Sequence, residues 1–287
     1  MKRGAWQAVG AYLAWGLFPL YWKQIESVPA LELIGHRIAW SFVTLVAIAA
    51  VTGKTGAPLR PRGRVLAIFT LSAVLISVNW FTYVWAVNGG FVVETSLGYF
   101  INPLVSVLFG VLVLGERLRR PQWLAIGLAA GGVAYLTLAH GSLPWIALVL
   151  AVSFGSYGLV RKIAPLDSFD GLTLETGLLF LPAVAYLGYT EHAGRGAFLH
   201  AGPFSDVLLV GAGPVTTVPL LLFASAARRI PLSLMGVLQY IAPTVQFLLG
   251  VLVYKEPFDR AQLVGFALVW TALVVFGTEG LLRKTEN

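Results

Sequence analysis

The residues able to do chemistry are few and lie in apolar surroundings. In "LELIGHRIAWS" the adjacent His36 and Arg37 fall about two turns inside an apolar run, and in "LTLETGLL" Glu175 lies at a comparable depth in another. An ionisable group at such depth in hydrocarbon is costly, so it points to handling of an ion or substrate, or to a buried ion pair. His36, with an ordinary pKa of ~6.5, suits a group that carries or senses a proton. Glu175 suits the same task once burial favours its neutral form, and Arg37 suits a substrate carboxylate or a structural partner. Catalysis fits less well. His36, His140, His192 and His200 form no H-x-x-x-H pair, and G-x-S-x-G and Walker sequences are absent. The lack of cysteine excludes disulfides, thiolate metal sites and cysteine nucleophiles. No enzyme, cofactor or metal site is expected.

A second set consists of aromatic and amide side chains. In "SVNWFTYVWAVN", Asn79 and Tyr83 are four residues apart and share a helix face, with Trp80 beside them. Together with Tyr12 and Trp15 near the start of the chain they suit the lining of a cavity for an amphipathic organic molecule, or simple packing. Trp6, Trp22, Trp123 and Trp145 sit at the ends of apolar runs, where aromatic residues anchor to the bilayer interface. Glu94 falls at a helix start and is expected in a terminal turn.

The elements that position these groups follow from composition. With 57% hydrophobic and 11% charged residues and a mean hydropathy of +0.80, the chain departs from the globular balance of about a quarter charged residues. A membrane span needs about 20 apolar residues. Windows of that kind lie at 4–22, 30–51, 65–87, 92–114, 121–139, 143–160, 171–190, 207–227, 231–254 and 261–282. The fold expected is an all-α polytopic membrane protein of ten transmembrane helices, the first an uncleaved span. With a cytoplasmic N-terminus, 15 of the 20 Lys and Arg fall on the inner side and only Lys23, Arg195, Lys255 and Arg260 on the outer, with Arg37 inside a span. Both termini are therefore expected in the cytoplasm. The net charge of +7 does not indicate nucleic acid, because no basic cluster is interleaved with aromatics on a soluble segment.

"INPLVSVLFGVLVLGE" at Ile101 returns as "IAPTVQFLLGVLVYKE" at Ile241. Residues 100–128 and 240–268 agree at 12 of 29 positions, and a fainter echo pairs Gly16, Leu20 and Lys23 with Gly155, Leu159 and Lys162. A tandem duplication of five-helix units follows, residues 1–140 and 141–287. Because five is odd, the copies enter the membrane from opposite sides, which makes an inverted repeat suited to alternating access. Pro103 and Pro243 recur near mid-membrane and free the carbonyls of Tyr99 and Gln239. Beside Asn102, Gln239 and Tyr240, these breaks are candidate hinges and binding groups.

The runs "WGLFPLYWK" from Trp15, "HRIAWS" from His36, "SLGYFINPL" from Ser96, "SYGLVRK" from Ser156, "GPVTTVPLLLFASAARR" from Gly213 and "LQYIAPTVQFLLG" from Leu238 resemble the RarD branch of the EamA-type drug/metabolite transporters. The resemblance implies ten helices in two inverted EamA repeats and a carrier of the bacterial inner membrane. It also implies a central cavity from helices 1, 3, 4, 6, 8 and 9, and export of amino acids or other metabolites. The branch's association by name with chloramphenicol sensitivity leaves the substrate open.

A secondary exporter of a small amphipathic metabolite such as an amino acid is the expected function, by alternating access. Proton coupling through His36 or Glu175 and uncoupled diffusion stand as alternatives. A drug efflux carrier is the second reading. A channel, which wants rings of charge or carbonyls, is the third. The expected partners are a small-molecule substrate, protons if coupling operates, and the lipid bilayer, with the protein a monomer or weak homodimer. The main cavity is expected between the halves near Pro103 and Pro243. The links 88–91 and 228–230 are expected to act as corresponding hinges.

Overall fold

The computed structural model describes residues 2–53, 63–89, 91–140, 145–255 and 260–285; the side chains of Asn88 and Glu94, and all of Gly90 and Glu256, lie outside the described residues. The described chain is helical throughout: α1 (Lys2–Trp22), α2 (Ala30–Thr52), α3 (Gly63–Asn88), α4 (Val92–Leu112), α5 (Arg120–His140), α6 (Trp145–Ile163), α7 (Ser168–His192), α8 (Pro203–Ala227), α9 (Leu232–Gln239), α10 (Ile241–Leu248) and α11 (Arg260–Thr285). Among the described residues six stretches are long and apolar enough to cross a bilayer, namely Ala30–Thr52, Gly63–Ala86, Trp145–Ile163, Ser168–His192, Pro203–Ala227 and Leu232–Val253. Shorter apolar helices run over Gly98–Leu112 and Leu263–Phe276, while α1 and α5 are not among either set. The exterior carries leucines such as Leu181, 74% exposed. Helices whose bare apolar faces look outward suit lipid, so the chain is a multi-pass membrane protein.

The repeated proline has unequal consequences. In the ninth window the helix stops at Gln239 and resumes at Ile241, then ends in a π-helical turn over Leu249–Val253. Pro243 has no N–H for the Gln239 carbonyl, and the Tyr240 N–H turns back to the Val237 carbonyl at 3.3 Å. Pro103 leaves α4 unbroken. There α4 crosses α9 closely enough that a Cβ on Gly236 would stand 2.5 Å from the Pro103 carbonyl oxygen.

The most extensive helix contacts all join residues 1–140 to residues 141–287. They also come in matched sets. The packing of α1 on α8 is mirrored by α6 on α3, that of α4 on α6 by α10 and α9 on α1, and that of α2 on α8 by α7 on α3. Close approaches repeat as well: a Cβ on Gly16 would fall 2.6 Å from Val245 Cβ, and one on Gly155 2.7 Å from Val105 Cγ1. Both glycines let two backbones approach within side-chain distance.

Two faces of the bundle can be distinguished. The start of α1 lies against the α8–α9 link, since a Cβ on Gly4 would stand 2.8 Å from Arg229 Cβ. At the other end Tyr21 donates to the Leu208 carbonyl near the start of α8. These are the proximal and distal faces below.

Candidate functional site

A cavity of about 170 Å³ lies between the two halves, with α1, α2, α3, α4, α6, α8, α9 and α10 contributing to its wall. It runs from mid-bundle to the distal ends of α1 and α4, at Trp22 and Thr95. Tyr12, Trp15, Arg37, Asn79, Trp80, Tyr83, Tyr99, Asn102, Gln239 and Pro243 all line it. Their meeting requires both halves of the chain at once, because they come from six helices on either side of residue 140.

Arg37 is held from three sides. Its Nε donates to Thr216 Oγ1 at 3.1 Å, and its guanidinium lies over the rings of Trp80 and Trp22, 4.4 and 5.1 Å from their centroids. Among the described residues no carboxylate pairs with it. Trp22 therefore does not serve only as the interface anchor expected of it; it forms part of the cavity wall. Asn79 donates from Nδ2 to the Leu150 carbonyl at 2.9 Å and to Ser153 Oγ at 3.0 Å, tying α3 to α6. The Tyr83 and Tyr99 rings meet edge to face at 5.9 Å. The Tyr12 hydroxyl and the Asn102 Oδ1 are buried without hydrogen-bond partners among the described residues.

The proximal side of the cavity is shut by aromatic rings. Phe223 contacts Tyr12, Trp15, Phe154 and Tyr157, with centroids 5.3 to 6.3 Å away and Tyr157 stacked on it. Trp15 and Phe154, 139 residues apart, touch each other edge to face at 5.7 Å.

Below this plug lie hydrogen bonds that account for Gly110 and Glu116. Glu116 reaches across to the start of α9 and accepts from the N–H groups of Leu232 at 2.6 Å and Ser233 at 2.9 Å. A carboxylate there satisfies orphan donors and faces the positive end of the helix dipole. Gly110 makes room for it, since a Cβ at that position would stand 2.6 Å from Glu116 Oε2. Lys162 donates to the carbonyls of Ala227 and Ile230, and Arg228 to those of Ala164 and Leu166.

Four expected site residues lie away from the cavity. His36 is one step, about 100°, around α2 from Arg37, so the two cannot face the same way. It packs on Phe198 with its Nε2 3.8 Å from Glu32 Oε1. Glu32 in turn accepts from the N–H of Ala197 at 2.6 Å and fastens the α7–α8 loop. Glu175 faces α3 and α6, accepting from Ser72 at 2.5 Å and Tyr157 at 3.2 Å, with Arg161 Nη1 3.7 Å distant. Tyr240 is buried with its hydroxyl donating to the Phe100 carbonyl. Pro103 is packed against α9.

Sequence reasoning missed Phe223, Phe154, Tyr157, Glu32, Thr216 and Arg161. Phe154 stands 139 residues after Trp15, and Tyr157, Arg161 and Thr216 fall inside the runs "SYGLVRK" and "GPVTTVPLLLFASAARR". Glu32 precedes His36 by four residues, a helix-face spacing. Phe223 stands 140 residues after Tyr83.

The profile of the EamA-like transporter family matches twice, over residues 2–138 and 143–278. An uncharacterized transporter, YojE of Bacillus subtilis, is 46% identical over 96% of this chain and 93% of its own. Protein RarD of Escherichia coli is 44% identical over 100% of this chain and 97% of its own. One protein of known crystal structure superposes with a TM-score of 0.72 over 95% of this chain and 96% of that one; at 21% identity it speaks for the fold alone.

Proposed function

The chain belongs to the EamA-like transporter family, in its RarD branch, and on that premise we propose that it is a secondary carrier exporting a small amphipathic organic molecule by alternating access. In this reading it has ten spans in two inverted five-helix repeats. It sits in the bacterial inner membrane with both termini, and so the proximal face, in the cytoplasm. The matched helix contacts, the Gly16–Val245 and Gly155–Val105 approaches and the two profile matches support the repeat. The basic residues of the loops support the orientation.

The observation that carries the mechanism is an asymmetry between equivalent positions. Proximally, Phe223 plugs the cavity and Lys162 holds the end of α8. Their distal counterparts are placed otherwise: Tyr83 lines the cavity, and Lys23 lies over the Tyr254 ring, 3.8 Å from its centroid. Two repeats related by an axis in the membrane plane can exchange these arrangements, closing the distal mouth and opening the proximal one. The links at 88–91 and 228–230 are the hinges of that exchange. In this reading the coupling proton is carried by Glu175 or His36, with uncoupled diffusion as the alternative. A proton arriving at Glu175 would abolish the ion pair with Arg161 and loosen α3, α6 and α7 from one another.

Cysteine pairs across each mouth of this cysteine-free chain provide the test, with flux measured in proteoliposomes on a compound found by thermal-shift screening. Either crosslink alone is expected to arrest flux. Simultaneous crosslinking of both mouths with flux intact would refute alternating access. A second reading, efflux of lipophilic xenobiotics, is favoured by the mainly aromatic wall and is separated by which compounds undergo counterflow.

A further inference from the structure

We infer that the cargo is a small organic monoanion, a carboxylate on an apolar body of about one ring, with Arg37 as the group that binds the carboxylate. The inference rests on the carrier reading, because it takes this cavity to be the cargo site.

Charge comes first. Among the described residues lining the cavity Arg37 is the only charged one, and no Asp, Glu, Lys or His accompanies it. Its Nε is used by Thr216, while its other four N–H groups have no protein acceptor among the described residues. Stacking on Trp80 and Trp22 fixes the plane of the guanidinium. A planar fork with free N–H groups matches a carboxylate bidentately, which a single ammonium does not. An uncompensated charge at membrane depth is costly, and a bound carboxylate offsets that cost. An amine cargo would add a second cation to the site. A zwitterion would bring its ammonium to a wall where no described carboxylate receives it. A dianion such as a phosphate monoester would leave one charge unmatched.

Polar satisfaction is the second, independent observation. The Tyr12 hydroxyl, fully buried, and the Asn102 Oδ1, in a side chain 4% exposed, both belong to cavity-lining residues and both lack partners among the described residues. Buried polar groups are normally hydrogen-bonded, so an orphan pair beside a cavity indicates a polar occupant. Size is the third. An apolar cavity of about 150 Å³ holds one benzene. At about 170 Å³ this one accommodates one ring with a carboxylate.

The probes are four one-ring compounds that differ in charge: benzoate, benzamide, benzylamine and phenylalanine. Each is titrated into the purified full chain in lipid nanodiscs, with quenching of Trp15, Trp22 and Trp80 fluorescence as the readout. Benzoate is expected to bind at least about tenfold more tightly than the other three. Arg37→Gln is expected to lose about tenfold or more for benzoate and to leave benzamide unchanged, with Arg37→Lys between. Arg195→Gln, at an exposed loop arginine, serves as the control. Equal or tighter binding of benzamide, benzylamine or phenylalanine overturns the inference. So does undiminished benzoate affinity in Arg37→Gln, or the absence of saturable binding by all four. The carrier reading fails separately, through the mouth crosslinks: benzoate binding by a protein that never alternates would uphold the anion site and sink transport.

Discussion

Replacing Glu116 by glutamine removes a charge from the proximal closure while conserving shape. The carboxylate accepts two backbone N–H groups at the start of α9, at 2.6 and 2.9 Å. Hydrogen bonds to a charged acceptor contribute about 1.5–3 kcal/mol each, against about 0.5–1.5 for neutral ones. A carboxamide offers one oxygen, and its NH2 would face the second donor, so one of the two bonds is lost outright. Glu116 is only half-buried, and water recovers part of the difference. A loss of about 2 kcal/mol in the proximally closed state remains, which is about a 30-fold shift toward the open one. The assay uses a cysteine introduced by Ser233→Cys, at a buried position beside the cap, and a membrane-impermeant thiol reagent applied from the proximal side. When opening and closing are fast, the labelling rate follows the open population. It should rise about 30-fold with Glu116→Gln added. A rate unchanged within about twofold, in a variant that still melts cooperatively, would mean that this cap does not hold the mouth.

Three further outcomes are expected. Arg161→Met should destabilise the protein by about 3–5 kcal/mol, because it strands the buried Glu175, whereas Arg161→Met with Glu175→Gln should recover most of that loss in denaturation. Gly155→Ala should cost about 1–3 kcal/mol by forcing α6 from Val105, while Gly127→Ala, which meets nothing within 4 Å, should not destabilise, as thermal melting will show. In the α7–α8 loop the hydrogen bond that protonated His200 donates from Nε2 to Glu191 Oε1, at 2.9 Å, raises the pKa of His200 above its ordinary value. A raised folded pKa means the pairing is fully present below the ordinary histidine range and is lost as pH rises through the raised value. Hydrogen exchange in residues 193–202 should therefore quicken across that window beyond the intrinsic rate, and His200→Gln should abolish the pH dependence.

Much of the architecture was legible in the chain because a bilayer leaves few solutions. A segment of about 20 apolar residues must satisfy its own backbone, so it is a helix wherever it packs. A recurrence of sequence was legible as well: Pro103, Gly110 and Glu116 return at fixed spacing in Pro243, Gly250 and Glu256. Which way each side chain faces was not legible. Where nearly every residue is apolar, hydrophobic periodicity no longer marks a buried stripe, so His36 and Arg37 looked alike although a step of about 100° sends only Arg37 to the cavity. Trp22 read as an interface anchor because it ends a span, and only the tertiary structure brings Arg37 of α2 over its ring. Glu175 carried the signal of a buried charge, but its partners Ser72, Tyr157 and Arg161 come from two other helices. The tertiary structure alone decided that Pro243 breaks its span while Pro103 does not, and that the cavity is shut at the proximal face and reaches the distal one. The proximal contacts that decide this join residues far apart in the chain, Phe223 with Tyr12 and Trp15, Glu116 with Leu232 and Ser233, and Lys162 with Ala227 and Ile230, and no local stretch of sequence contains them.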